Sequence, residues 1–197
     1  MSTGVIILVV VAVVVVLCGA AVLVLRARGA QGSRGLKRRF GPEYERAVAR
    51  HHGDAAAAER ELAQLVERHG GLRERALEPD EAERFEARWA AAQEHFVDAP
   101  RQAVGEADQL LAELARARGP RRSRCWMQPD GERYEEQLSA LSVHHADHVQ
   151  GYRHVHRVAH GSEGRPDTEE MREALIEGRA LFEDLVRTSN RQHATRS

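Results

Sequence analysis

The sequence predicts an all-α protein: an N-terminal transmembrane helix followed by a compact helical bundle. Three observations carry this expectation. Ala, Arg, Glu and Leu dominate while aromatics are few, and these residues lose little side-chain freedom on becoming helical. Apolar residues recur with a period near 3.6 in several segments, and no run alternates with period two. A 22-residue stretch at the start of the chain is apolar and uncharged. With 197 residues there is room for such an anchor and one domain able to bury a core of its own.

The elements follow in order. Residues 1–3 form a short end, and Gly4 to Leu25, "GVIILVVVAVVVVLCGAAVLVL", form the expected transmembrane helix. At 1.5 Å per residue it would be about 33 Å long, enough for a hydrocarbon core of about 30 Å. A cleaved signal peptide has a cationic start and a shorter apolar stretch, and "MST" carries no cation. All six cations ahead of the first acid, Glu43, lie just after the span: Arg26, Arg28, Arg34, Lys37, Arg38 and Arg39. Positive residues beside a span favour the cytoplasmic side, which places the soluble domain in the cytoplasm; an exported domain is the alternative. Residues 26–39 read as a basic, glycine-containing tether whose six cations contact anionic headgroups or serve only as a topology signal. Once these are set aside, 23 basic residues face 30 acidic ones, so the remainder carries a net charge of −7. The two cysteines, Cys18 and Cys125, give no disulfide framework because the first lies inside the apolar run.

Residues 40–187 are expected to form the helical domain. Pro42 to His52 is a short helix between Gly41 and Gly53, and Asp54 caps a second that stops at Gly70-Gly71. Pro79 opens a third, with acids in its first turn and Phe85, Trp89, Ala92 and Phe96 on one face. Asp98 and Pro100 begin a fourth, where Val104, Ala107, Leu110, Leu111 and Leu114 repeat at helical spacing. After an irregular "PRRSRCWMQPDG", Tyr134, Leu138 and Leu141 line a short helical piece. Ser142 reads as the cap of the next helix, "SVHHADHVQGYRHVHRVAH". Asp167 and Glu170 form a capping-box pattern before the last helix, whose stripe is Met171, Leu175, Leu181 and Leu185; residues 188–197 are expected to be a disordered tail.

The histidine segment is the only stretch with a case for chemistry. Six of the chain's 11 histidines lie between Ser142 and His160. At about 100° per residue, His144, His145, His148, His156 and His160 share a face with Tyr152 and Val155, while Arg153, His154 and Arg157 point away. His144 with His148, and His156 with His160, are i,i+4 pairs, the spacing at which two imidazoles on a helix reach one metal ion. The pairs lie about 18 Å apart along a helix, so each would need its own third ligand from elsewhere, with His95 or Glu94 the nearest in type. Two other readings stay open. The rings pack at the core edge with each nitrogen bonded to a carboxylate or carbonyl, or acidification charges several buried rings and loosens the face.

No phosphate loop, HExxH, CxxC pair or nucleophile elbow occurs, so no catalytic residue is assigned and no cofactor is expected. Glu169, Glu170 and Glu173 suit a solvated first turn better than paired catalytic carboxylates. Nucleic acid is disfavoured as a partner, since the arginines of "PRRSRCW" sit in an acidic domain without a recognised motif. "LKRRFGPEYERAVARH", "RWAAAQEHFVDAPRQAVGEADQLL", "YEEQLSALSVHH" and "TEEMREAL" resemble a family of single-span bacterial proteins common in high-GC actinobacteria. The resemblance implies the domain extent and helical architecture and brings no activity. The functional expectation is a membrane-anchored cytoplasmic module that tethers an unknown protein partner. A histidine-dependent metal-binding protein or metalloenzyme is one alternative, and a pH-responsive helical module another.

Overall fold

The computed structural model describes residues 32–119, 130–161 and 166–194, and among these the only regular elements are helices. The chain divides into two units, Met1–Arg39 and Phe40–Ser197. The expected span over residues 4–25 and the cations Arg26 and Arg28 lie outside the described residues, as do Cys125 and Trp126. Among the described residues no helix is long and apolar enough to cross a membrane. The expected tether is helical from residue 32 on: residues 32–40 form α1, with Arg34, Lys37, Arg38 and Arg39 exposed. Leu36 and four cations are good helix formers, and their propensity outweighs that of the interspersed glycines.

The second unit runs α2 (Pro42–Arg50), α3 (Ala55–His69), α4 (Pro79–His95), α5 (Pro100–Arg118), α6 (Asp130–His144), α7 (Val149–His160) and α8 (Thr168–Ala194). The start signals act as expected. The Asp54 side chain accepts the Ala57 N–H at 3.0 Å, and Asp167 accepts that of Glu170 at 2.7 Å, so each satisfies a backbone donor that the helix itself leaves unpaired. Proline opens α2, α4 and α5, where its missing N–H costs nothing.

Helix α5 is the centre of the bundle, packed against α4, α7 and α8, while α2 lies on α3 and α3 on α6. Its expected stripe is buried: Val104, Ala107, Leu110, Leu111 and Leu114 are each at most 2% exposed. Burying a leucine fully is worth roughly 1.5–3 kcal/mol, so this stripe ties α5 to three neighbours. Trp89 of α4 stacks on Phe182 of α8, ring centroids 4.7 Å apart, while Phe85 and Phe96 sit at the edge of the same core. Helices α7 and α8 meet at two glycines. A Cβ on Gly151 would lie 2.1 Å from the Glu177 carbonyl oxygen, and one on Gly178 would lie 2.6 Å from Val155 Cγ2. Only the absence of side chains lets these backbones approach.

Three sequence expectations are corrected. The histidine segment is not one helix. Helix α6 ends at His144, residues 145–148 form a turn, and α7 begins at Val149. Ser142 is therefore no cap; it lies within α6, and its hydroxyl donates to the Leu138 carbonyl at 2.8 Å. The tail is helical to Ala194, and Ser189 is fully buried, accepting the Leu77 N–H at 2.5 Å. That bond serves a backbone donor of the extended segment between α3 and α4, a tertiary demand invisible in the tail's own composition.

Candidate metal centre

Asp108 lies on the stripe of α5 that faces the core, one turn after Val104 and one before Leu111, and its side chain is 7% exposed. A buried carboxylate must be paired. Its partners come from α7, one turn apart. His156 Nδ1 lies 3.0 Å from Asp108 Oδ1 and 3.2 Å from Oδ2, and His160 Nε2 lies 2.8 Å from Oδ2. One donor atom from each of the three residues falls within 4.8 Å of the others. The His156 ring is stacked on Tyr134 of α6 at 3.7 Å with an interplanar angle of 14°, which fixes its orientation. His156 is 31% exposed and His160 62% exposed, so the cluster is buried at the carboxylate and open at the second imidazole.

Of the four expected metal ligands the fold thus brings His156 and His160 to a third donor, and separates His144 from His148. The turn after His144 breaks their i,i+4 relation. His144 Nε2–H donates to the His69 carbonyl at 2.9 Å, and His148 lies at the N-terminus of α7. Neither expected third ligand takes part. His95 Nδ1 is 3.0 Å from Glu106 at the surface, and Glu94 is exposed.

The fifth histidine of the expected apolar face is committed elsewhere. His145 bridges two carboxylates, Nδ1 to Asp184 at 2.6 Å and Nε2 to Glu74 at 2.5 Å, with its side chain 4% exposed. Arg118 of α5, 1% exposed, donates to Glu74 and to the Arg75 carbonyl, both at 2.5 Å, while Arg75 N–H donates to the Arg118 carbonyl at 2.8 Å. Burial alone would lower the His145 pKa, but hydrogen bonds to Asp184 and Glu74 more than reverse this and push it up to about 9. The pKa of Asp184 is lowered, chiefly by its hydrogen bond to His145. Burial would raise that of Glu74, but the hydrogen bond and charge of His145 and the charge of Arg118 leave it lowered as well. An imidazolium with both nitrogens protonated has no lone pair for a metal. This group is therefore an ion network that straps the segment after α3 to α5 and α8, and no metal site.

The wheel also misplaced the polar side of α7. Arg153 is only 13% exposed and donates to the buried Glu43 at 2.5 Å, and His154, 16% exposed, bonds Glu177 at 2.8 Å. Asp108 was not among the expected ligands, because a single acid on a helix reveals no partner from another helix. Its signal was nonetheless present, an acid on an otherwise apolar stripe. Arg118 carried no such signal, since a cation in the last turn of a helix is ordinarily a solvated one. No family model, curated protein or solved structure matches the chain.

Proposed function

We propose that the chain is a membrane-anchored protein whose helical domain takes up one divalent transition-metal ion between Asp108, His156 and His160. The observation that carries this is the meeting of an i,i+4 histidine pair on α7 with a buried carboxylate from α5, one donor atom of each within 4.8 Å of the others. Two imidazoles and one carboxylate suit zinc, and also copper, nickel or iron(II). The ion would clip α5 to α7, and three protein ligands leave a further position for water or for a group from a partner. The uncharged stretch over residues 4–25 and the basic collar after it support a place at the bilayer, as does the resemblance to single-span bacterial proteins. Anchoring raises the domain's effective concentration for partners on the same face of the membrane.

The test is metal content. Full-length chain in phosphatidylcholine nanodiscs is stripped of metal, dialysed against zinc and washed. One zinc per chain is expected, lost in His160→Ala and retained in His148→Ala. His160 is exposed enough that its removal leaves the fold intact, which circular dichroism checks. Substoichiometric zinc in the wild type, or equal zinc in His160→Ala, refutes the proposal.

A further inference from the structure

Helices α2, α3, α6 and α7 surround a cleft of about 730 Å³ that shares no residue with the metal cluster. Its volume is in the range of small-molecule sites, about 300–1,000 Å³. Leu62, Leu65 and Leu138 contribute its apolar surface, with Leu62 and Leu138 only 2% and 6% exposed. Its polar surface is built around a buried carboxylate. Glu43, 4% exposed, accepts from Arg153 at 2.5 Å, and Arg153 also donates to the Ser142 hydroxyl oxygen at 3.4 Å. Ser142 and Arg153 are thus held as a rigid base for the cleft.

The lining holds four arginines, Arg46, Arg50, Arg153 and Arg157, against four glutamates, Glu43, Glu61, Glu135 and Glu177, and most of them are paired. Glu43 is neutralised by Arg153 and Glu61 by Arg50, while His51 bonds Glu61 and His154 bonds Glu177. Glu135 is exposed to water. Arg46, itself exposed, is different: its guanidinium donates to the neutral amide of Gln150 at 2.6 Å and, among the described residues, pairs with no carboxylate. Partial burial and the neighbouring Arg153 charge lower its pKa, and the Glu43 charge opposes them. A guanidinium without a carboxylate partner among the described residues, beside an apolar surface, matches an anion that carries an apolar body.

The geometry points to a binding site for a small organic anion, its carboxylate or phosphate on Arg46 and its apolar body against Leu62, Leu65 and Leu138. An anion placed there would gain the planar, two-pronged contact that arginine offers to such groups. The apolar surface would reject a bare inorganic ion, because it would gain nothing from the leucines.

Calorimetry with full-length chain in nanodiscs tests this using three probes: 2-naphthoate, its neutral analogue 2-naphthamide, and inorganic phosphate. Naphthoate is expected to bind at least tenfold more tightly than the amide, and phosphate to give no measurable heat. Arg46→Gln should weaken naphthoate about tenfold and leave the amide unchanged. Leu65→Glu should weaken both, with helicity checked in each variant. Equal binding of naphthoate and amide, an unaltered naphthoate affinity in Arg46→Gln, or no binding of naphthoate overturns the site. Phosphate binding as tight as naphthoate overturns the apolar half of it. Zinc content reads on neither outcome, because Asp108, His156 and His160 lie outside the cleft.

Discussion

At the residue scale, the most consequential side chain is His145, an imidazole that the fold keeps charged. Glu74 and Asp184 face it directly, Arg118 lies behind Glu74, and His144 and His148 lie near the same carboxylates. Its folded pKa, about 9, stands above the ordinary 6.5. A raised pKa means that the folded state holds a proton the unfolded state releases. The stabilisation is therefore complete below pH 6.5 and is lost as pH rises through about 9. Its size is on the order of 3 kcal/mol. The depressed pKa values of Glu74 and Asp184 act at the other end: their contribution is present above about pH 4.5 and is lost as pH falls through their folded values. The urea midpoint should thus drop between pH 6.5 and 9.5 in the wild type and stay nearly flat there in His145→Gln. At pH 6.5 that variant should itself be destabilised by about 3 kcal/mol, since two carboxylates lose their shared cation. The sequence expectation had the opposite sign for this ring, with acid loosening the packed face. His69, outside the histidine segment and 2% exposed, has its pKa lowered by burial, so charging it as pH falls below 6.5 opposes folding.

At the element scale, the crossing of α7 and α8 depends on Gly151. An added Cβ there meets backbone, which cannot swing aside as a long side chain would. Gly151→Ala should cost about 3 kcal/mol, the upper part of the range for overpacking. Gly105 in α5 is the contrast, with open space around its would-be Cβ. Gly105→Ala should stabilise by about 0.5–1 kcal/mol, because alanine lowers the entropy of the unfolded helix segment. Guanidinium unfolding of both variants measures the pair; equal effects would remove the crossing argument. The same crossing explains why the histidine segment had to bend. A straight helix from Ser142 to His160 would satisfy its own period, but it could not place His145 between Glu74 and Asp184 and also lay Gly151 on α8.

At the scale of the whole molecule, the domain and its expected anchor make separate claims. The anchor claim is tested by a reporter fused after Ser197 that becomes active only outside the cytoplasm. It is expected to stay silent on the positive-inside bias of the cations after residue 25. Activity would place the domain on the far side. The sequence by itself determined the helices and most of their boundaries, because the cap at Asp54, the prolines at 42, 79 and 100 and the stripe of α5 act over a few residues. Local periodicity and capping need no knowledge of a neighbour. It also offered four histidines as ligands, and only tertiary packing decided that His156 and His160 meet Asp108 while His144 and His148 part. It decided likewise that Arg118 is buried, that Ser189 extends α8, and that Arg153 and His154 face the interior. The reason is physical: a buried charge or donor is settled by whatever lies opposite it, and that partner is 39 residues away for His145 and Asp184, 48 for His156 and Asp108, and 112 for Leu77 and Ser189.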